Sequence, residues 1–114
     1  MEALIARLEP EVSLLHTHIC EALGDPKRVL ILYLLADKSY TVTEITEALG
    51  TPQPTTSHHL KILRDRGLIV LKKEGTSNYY SLSDHRIIQA LDLMRKMLAD
   101  MFTERANVLA APDS

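Results

Sequence analysis

The residues best equipped for chemistry lie between Thr51 and Gly67, in the run Thr-Pro-Gln-Pro-Thr-Thr-Ser-His-His-Leu-Lys-Ile-Leu-Arg-Asp-Arg-Gly. Ser57 beside His58 and His59 invites a nucleophile and its base. Adjacent helical residues diverge by about 100°, however, and no carboxylate is placed to orient either imidazole. Catalysis is not expected, which leaves donors and acceptors for recognition. Pro52 and Pro54 suit a helix's first turn, whose N–H groups have no intrahelical partner, and Thr51 is the expected N-cap. With Thr56 set at 0°, Leu60 and Leu63 fall within about 40°, whereas Ser57, His58 and Lys61 fall between about 100° and 200°. One face is apolar and the other is short, hydroxylated and cationic. Such a face matches the donor and acceptor edges of base pairs in a major groove, so the run reads as a recognition helix closed by Gly67.

A second cluster, His16-Thr17-His18-Ile19-Cys20, offers metal-ligand chemistry. On an α-helix His16 and Cys20 share a side, about 40° apart, while His18 points away. A two-ligand half-site completed by a second chain, with His85 as a further donor, suits zinc, nickel or copper. The alternative is packed core, because His16 lies in the stripe Val12, Leu15, Ile19, Leu23 and Cys20 flanks it. His59 reads as a buried helix residue near the turn, and Met94, Met97 and Met101 as dimer core rather than a soft-metal site. Thr56 stands where an apolar residue would pack better.

The elements that position these residues follow in order. With 114 residues one domain is expected, spanning 1–109, with 110–114 as a disordered tail. Glu2 to Glu9 is helix-prone, and Pro10 is expected to break or kink it. A second amphipathic helix is expected from Glu11 to Leu23, ended by Gly24. Asp25-Pro26 caps and opens the next, where Val29, Leu30, Ile31, Leu32, Leu34 and Leu35 leave little polar surface; such a helix belongs in the middle of the domain. Asp37 to Tyr40 turn the chain. Thr41 and Glu44 form a capping box ahead of a short helix to Leu49, and Gly50–Pro52 link it to the recognition helix as a helix-turn-helix requires. Leu68 to Lys73 and Tyr79 to Leu82 read as two strands around turn formers Gly75, Ser77 and Asn78. Ser83 or Asp84 then caps a long helix to about Val108. The fold class is mainly α with a small β-hairpin.

Along that last helix Ile87, Leu91, Met94, Leu98 and Met101 alternate in steps of four and three, a coiled-coil-like seam. At 1.5 Å per residue it is about 35–40 Å long, more than one small domain needs to cover itself. A second subunit is the natural cover, with Leu15 and Ile19 of the first helix as further interface residues. Dimerisation through residues 1–23 and 84–109 is therefore expected.

Charge supports the recognition reading by its distribution. The chain carries a net −2. Between His58 and Glu74, though, Lys61, Arg64, Arg66, Lys72 and Lys73 oppose only Asp65 and Glu74. From Met1 to Asp25 five carboxylates oppose Arg7 alone. Lys72 and Lys73 are either a solvated strand edge or, beside the recognition helix, phosphate contacts. One cysteine excludes an intrachain disulfide. No apolar run approaches 18 residues and no signal peptide opens the chain, so a cytoplasmic protein is expected, with no membrane partner and no resident cofactor.

Three motifs resemble the ArsR/SmtB-type winged-helix bacterial repressors: Ala22 to Leu32 (Ala-Leu-Gly-Asp-Pro-Lys-Arg-Val-Leu-Ile-Leu), Gln53 to Arg64, and Gly67-Leu68-Ile69, followed by the wing Gly75 to Leu82. The resemblance covers roughly residues 12 to 105. It implies a winged helix-turn-helix homodimer that binds an inverted-repeat operator in double-stranded DNA and is released by an effector. Gln53, Thr55, Ser57 and His58 are then the base-contact residues. Lys61, Arg64, Lys72 and Lys73 serve phosphates. The family's sensor patterns are not matched: the helix Val42 to Leu49 has no Cys-x-Cys, His85 directly follows Asp84 with no later histidine, and a dithiol sensor needs a second cysteine. The effector is left open. A repressor without a small-molecule inducer and a winged-helix protein-interaction module are the alternatives.

Overall fold

The computed structural model describes the chain through Ala110, with side chains through Arg105. It divides into two units, Met1–Asp84 and the part from His85 onward. The first contains helix α1 (Glu2–Leu15), a π-helical segment (His16–Cys20), a 3₁₀ turn (Ala22–Gly24), α2 (Pro26–Asp37), α3 (Val42–Leu49), α4 (Gln53–Asp65) and strands β1 (Ile69–Glu74) and β2 (Ser77–Leu82). The second is α5 (Arg86–Ala110). Residues 111–114 of the expected tail lie outside the described residues, and Ala110, expected in that tail, is helical instead.

Several boundaries follow from local chemistry. The Asp25 carboxylate accepts from the Lys27 N–H at 2.8 Å, with Pro26 opening α2. The Thr41–Glu44 capping box is complete: the Glu44 N–H donates to the Thr41 hydroxyl at 3.2 Å, and the Thr41 N–H to the Glu44 carboxylate at 2.9 Å. The carboxyl is held below its usual range, chiefly by that backbone N–H. Gly50 ends α3 with φ +65°, a left-handed conformation that favours glycine.

Three expectations need correction. Pro10 neither breaks nor separates a helix, because α1 continues through it to Leu15. No residue of α1 is buried, so water can satisfy the carbonyl that Pro10 leaves without a donor. Of the expected α-helix over Glu11–Leu23, Glu11–Leu15 is α-helical as the end of α1, but the chain then winds as a π-helix from His16 to Cys20 and as a 3₁₀ turn over Ala22–Gly24. And α2 is not buried all round: Ile31, Leu32 and Leu35 are core, but Leu30 is 55% exposed.

The core gathers Ile31, Leu32 and Leu35 of α2, Ile45 of α3, Leu60 and Leu63 of α4, and Leu68, Ile69 and Leu82 at the hairpin base. β1 and β2 pair antiparallel from Ile69↔Leu82 to Glu74↔Ser77. Ser77 and Asn78, expected in the turn, are strand residues, and Gly75-Thr76 alone make the loop, with Gly75 at φ +62°. Tyr40, read as turn, forms a β-bridge with Tyr80 through two backbone bonds of 3.1 and 2.8 Å. Ser83 does not cap α5. Its hydroxyl donates to the Gly67 carbonyl at 2.6 Å and its N–H to Leu68 at 3.1 Å, closing the hairpin base.

Along α5, Leu93, Met94, Met97, Leu98, Met101 and Phe102 are exposed, whereas Leu91 is buried and Ile87 half-buried. On α1 and the π-helical segment, Leu15 is exposed and Ile19 half-buried. Among the described residues no helix is long and apolar enough to cross a membrane.

Candidate nucleic-acid interface

Helix α4 begins where its proline pair permits: Pro52 is extended (φ −60°, ψ 142°), and its carbonyl accepts from the N–H groups of Thr55 and Thr56 at 3.0 and 3.2 Å. Thr51 is not the N-cap. Its hydroxyl lies 2.8 Å from that of Thr56, and both residues are buried. This pair explains a hydroxyl at an apolar position, since each threonine satisfies the other where water is excluded. The loop entering α4 is thereby fastened to the helix's own second turn.

The buried arc of α4 holds Thr56, His59, Leu60 and Leu63, about 100° of the circumference. Opposite lie Ser57, His58 and Lys61, and toward the sides Gln53, Thr55 and Arg64, all exposed. Lys61 reaches Asp65 at 2.9 Å, an exposed i, i+4 pair that contributes little to stability. Lys72 and Lys73 are exposed on β1, opposite Tyr79 and Asn78. Their side chains project from opposite faces of the ribbon, so the wing is cationic on both sides.

Behind α4, polar contacts replace part of the usual apolar packing. His59 is 6% exposed. Its Nδ1 lies 3.2 Å from the Arg28 guanidinium, which also donates to the carbonyls of Ala22 (2.7 Å) and Glu21 (3.3 Å). Burial, above all, holds His59 below its ordinary value of 6.5. Just past the end of α4, Arg66 donates to the Thr17 carbonyl and pairs with the Glu21 carboxylate at 3.1 Å. Sequence reasoning placed His59 inside but found neither arginine contact, since their partners lie 31 and 49 residues away.

The second cluster lies on a π-helical rather than an α-helical backbone. π-Helical bonding links residues five apart, and His16 accordingly lines up with Glu21: the Glu21 N–H donates to the His16 carbonyl at 2.9 Å, and His16 Nδ1 lies 3.8 Å from the carboxylate. His16 and Cys20 are exposed in the single chain rather than packed in a core. His85 is exposed just before α5. Among the described residues no group of three or more His, Cys, Asp or Glu side chains is arranged to hold a metal.

A helix-turn-helix followed by a two-stranded hairpin defines the first unit as a winged helix-turn-helix. The model of the bacterial regulatory proteins of the arsR family matches residues 25–70, and a relative, the uncharacterized HTH-type transcriptional regulator MJ1325 of Methanocaldococcus jannaschii, is 44% identical over 80 residues, 69% of this chain and 90% of that protein. The chain belongs to the arsR family, and is a transcriptional regulator rather than an enzyme. It is 42% identical to the HTH-type transcriptional regulator NmtR of Mycobacterium tuberculosis over 72 residues, 63% of this chain and 60% of NmtR. It spans about half the length of further mycobacterial relatives that it matches. Among solved structures, the homodimeric winged helix-turn-helix DNA-binding domain of Mb0332 from Mycobacterium bovis superposes with a TM-score of 0.70 at 29% identity, covering 82% of this chain and 85% of that one.

Proposed function

We propose that the protein is a cytoplasmic homodimeric repressor that binds an inverted-repeat operator through α4 and the wing, and that an effector releases it. One observation carries the reading: an exposed polar face of Gln53, Thr55, Ser57 and His58 stands on a helix whose other side is locked into the core. Those four residues face base edges in the major groove. Lys61, Arg64, Lys72 and Lys73 contact phosphates, which set register without reading sequence. Two-fold symmetry places two such helices in successive major grooves, about 34 Å apart. The exposed apolar residues of α5, with Leu15 and Ile19, supply the surface for a second copy. The homodimeric state of the Mb0332 domain supports this. The reading needs no resident cofactor.

Selection from a random-sequence duplex pool with the full chain tests it. Enrichment of an inverted repeat with half-sites about one helical turn apart is expected. Affinity for that duplex should fall roughly 10³–10⁵-fold between about 50 and 200 mM salt for six to ten phosphate contacts. Failure to enrich any duplex at low salt overturns the reading. Challenging the selected complex with zinc, nickel, copper and thiol oxidants then tests for an effector, and Cys20→Ala tests whether a response runs through the thiol.

A further inference from the structure

We propose that Arg28 and His59 form a clamp behind α4 that fixes the angle at which its exposed face meets a duplex, His59 serving as an acceptor that only its unprotonated ring supplies. The inference rests on the DNA-binding reading and assigns positioning roles to two residues that face away from DNA. Apolar packing by Leu60 and Leu63 holds α4 against the core but is non-directional. A guanidinium with fixed donor directions sets the helix's roll more tightly. Arg28 extends from α2, placing Nε on the Ala22 carbonyl at 2.7 Å, one terminal nitrogen toward the Glu21 carbonyl at 3.3 Å, and the other on His59 Nδ1 at 3.2 Å. Those two carbonyls are presented where the chain changes from π-helical to 3₁₀ winding. The same segment receives Arg66 from the far end of α4, on the Thr17 carbonyl and the Glu21 carboxylate. The helix is thus tied to one stretch of chain in its middle and just beyond its end.

The clamp has a defined proton requirement. Arginine carries only donors and stays charged, so His59 Nδ1 must present its lone pair, with the proton on Nε2. A second proton would turn the acceptor into a donor and set two like charges 3.2 Å apart. The groups facing the ring act in both directions. Burial, Arg28 and Lys27 of α2, and His58 of its own helix disfavour protonation, while Asp25 at the start of α2 favours it. The neutral ring therefore belongs to the folded form. The clamp is complete above the ordinary histidine value of 6.5 and is lost as pH falls through His59's lowered value.

The test compares the wild-type chain with His59→Asn, whose side-chain oxygen offers an acceptor at the Nδ1 position and does not titrate, and with His59→Leu, which offers none. The probe is the duplex selected above. As pH falls from about 7.5 through the lowered His59 value, for as long as the chain stays folded, wild-type affinity is expected to fall about tenfold relative to His59→Asn. This ratio removes the contribution of shared groups that do not act on the His59 ring. At about pH 7.5, His59→Asn is expected to stay within about twofold of wild type, and His59→Leu to lose about tenfold while still cooperatively folded. Nitrogen-15 NMR of the free wild-type protein should show Nδ1 unprotonated and Nε2 protonated. Parallel pH profiles for wild type and His59→Asn, or the opposite tautomer, would overturn the clamp. Failure to enrich any duplex while the ring shows the expected tautomer overturns the DNA reading instead, and with it the clamp's positioning role.

Discussion

Helices α4 and α5 treat their surroundings in opposite ways. α4 has thirteen residues, buries Thr56, His59, Leu60 and Leu63, and presents a polar outer face. α5 has twenty-five and leaves Leu93, Met94, Met97, Leu98, Met101 and Phe102 uncovered. The shorter helix is fully accounted for by its own chain: an apolar strip, a hydroxyl pair and two arginine contacts hold it. The longer one is not, because a contiguous apolar face of this kind marks an interaction surface. One helix is finished inside the subunit, and the other is, on the proposed function, the one a second copy covers.

The largest expected effect breaks the contrast at α5. Met94→Asp puts a charge on the apolar face and should weaken dimerisation by roughly 2–4 kcal/mol, read by sedimentation equilibrium, with operator affinity falling in parallel. A wild-type chain that sediments as a monomer at micromolar concentration would remove the basis for the contrast. At the back of α4, Thr56→Val strands the Thr51 hydroxyl and should cost about 1–3 kcal/mol in urea unfolding. The double variant Thr51→Val/Thr56→Val should recover most of that loss, since both partners are then apolar. Equal costs for the single and double variants would mean the bond does not hold the loop.

On the outer face, His58→Ala should reduce discrimination between the selected duplex and random DNA by about fivefold, or about 1 kcal/mol. Its thermal midpoint should be nearly unchanged, because the side chain is exposed, with the tilted ring of His59 beside it, centroids 6.2 Å apart; a clearly lowered midpoint would blur the division between the two faces. The smallest effect concerns α3. The Glu44 carboxyl is held below its ordinary value of 4.5 by the Thr41 N–H. The folded state therefore stays ionised to lower pH than the unfolded chain, and the stabilisation is present above 4.5 and lost as pH falls through the lowered value. Glu44→Gln should flatten the acid limb of a stability-versus-pH curve slightly, and an identical limb would dismiss the capping contribution.

What could be read from the sequence was local. The Thr41–Glu44 box, the Asp25-Pro26 start and the left-handed Gly50 each involve residues within a few positions, where side-chain chemistry alone decides. The apolar strip of α4 was equally legible, because its period is that of the helix. The contacts that fasten α4 were not. Thr51–Thr56 spans only five residues, but it matters because both hydroxyls are buried, which residue type does not reveal; Arg28–His59 and Arg66–Thr17 join segments that only tertiary packing brings together. The π-helical winding at His16–Cys20 had no signal in residue type, and neither had the approach of His16 to the Glu21 carboxylate.

On the proposed function, the Tyr40–Tyr80 bridge bears on how the wing meets a duplex. Two backbone bonds pin the middle of β2 to the loop behind α2, and the Ser83 hydroxyl secures the strand's exit to Gly67. Swinging the lower half of the ribbon would require those bonds to break, whereas the portion from Lys72 to Asn78 lies beyond them. Any adjustment to local curvature of the sugar–phosphate rail therefore falls to the outermost loop, like a fingertip flexing on a splinted knuckle.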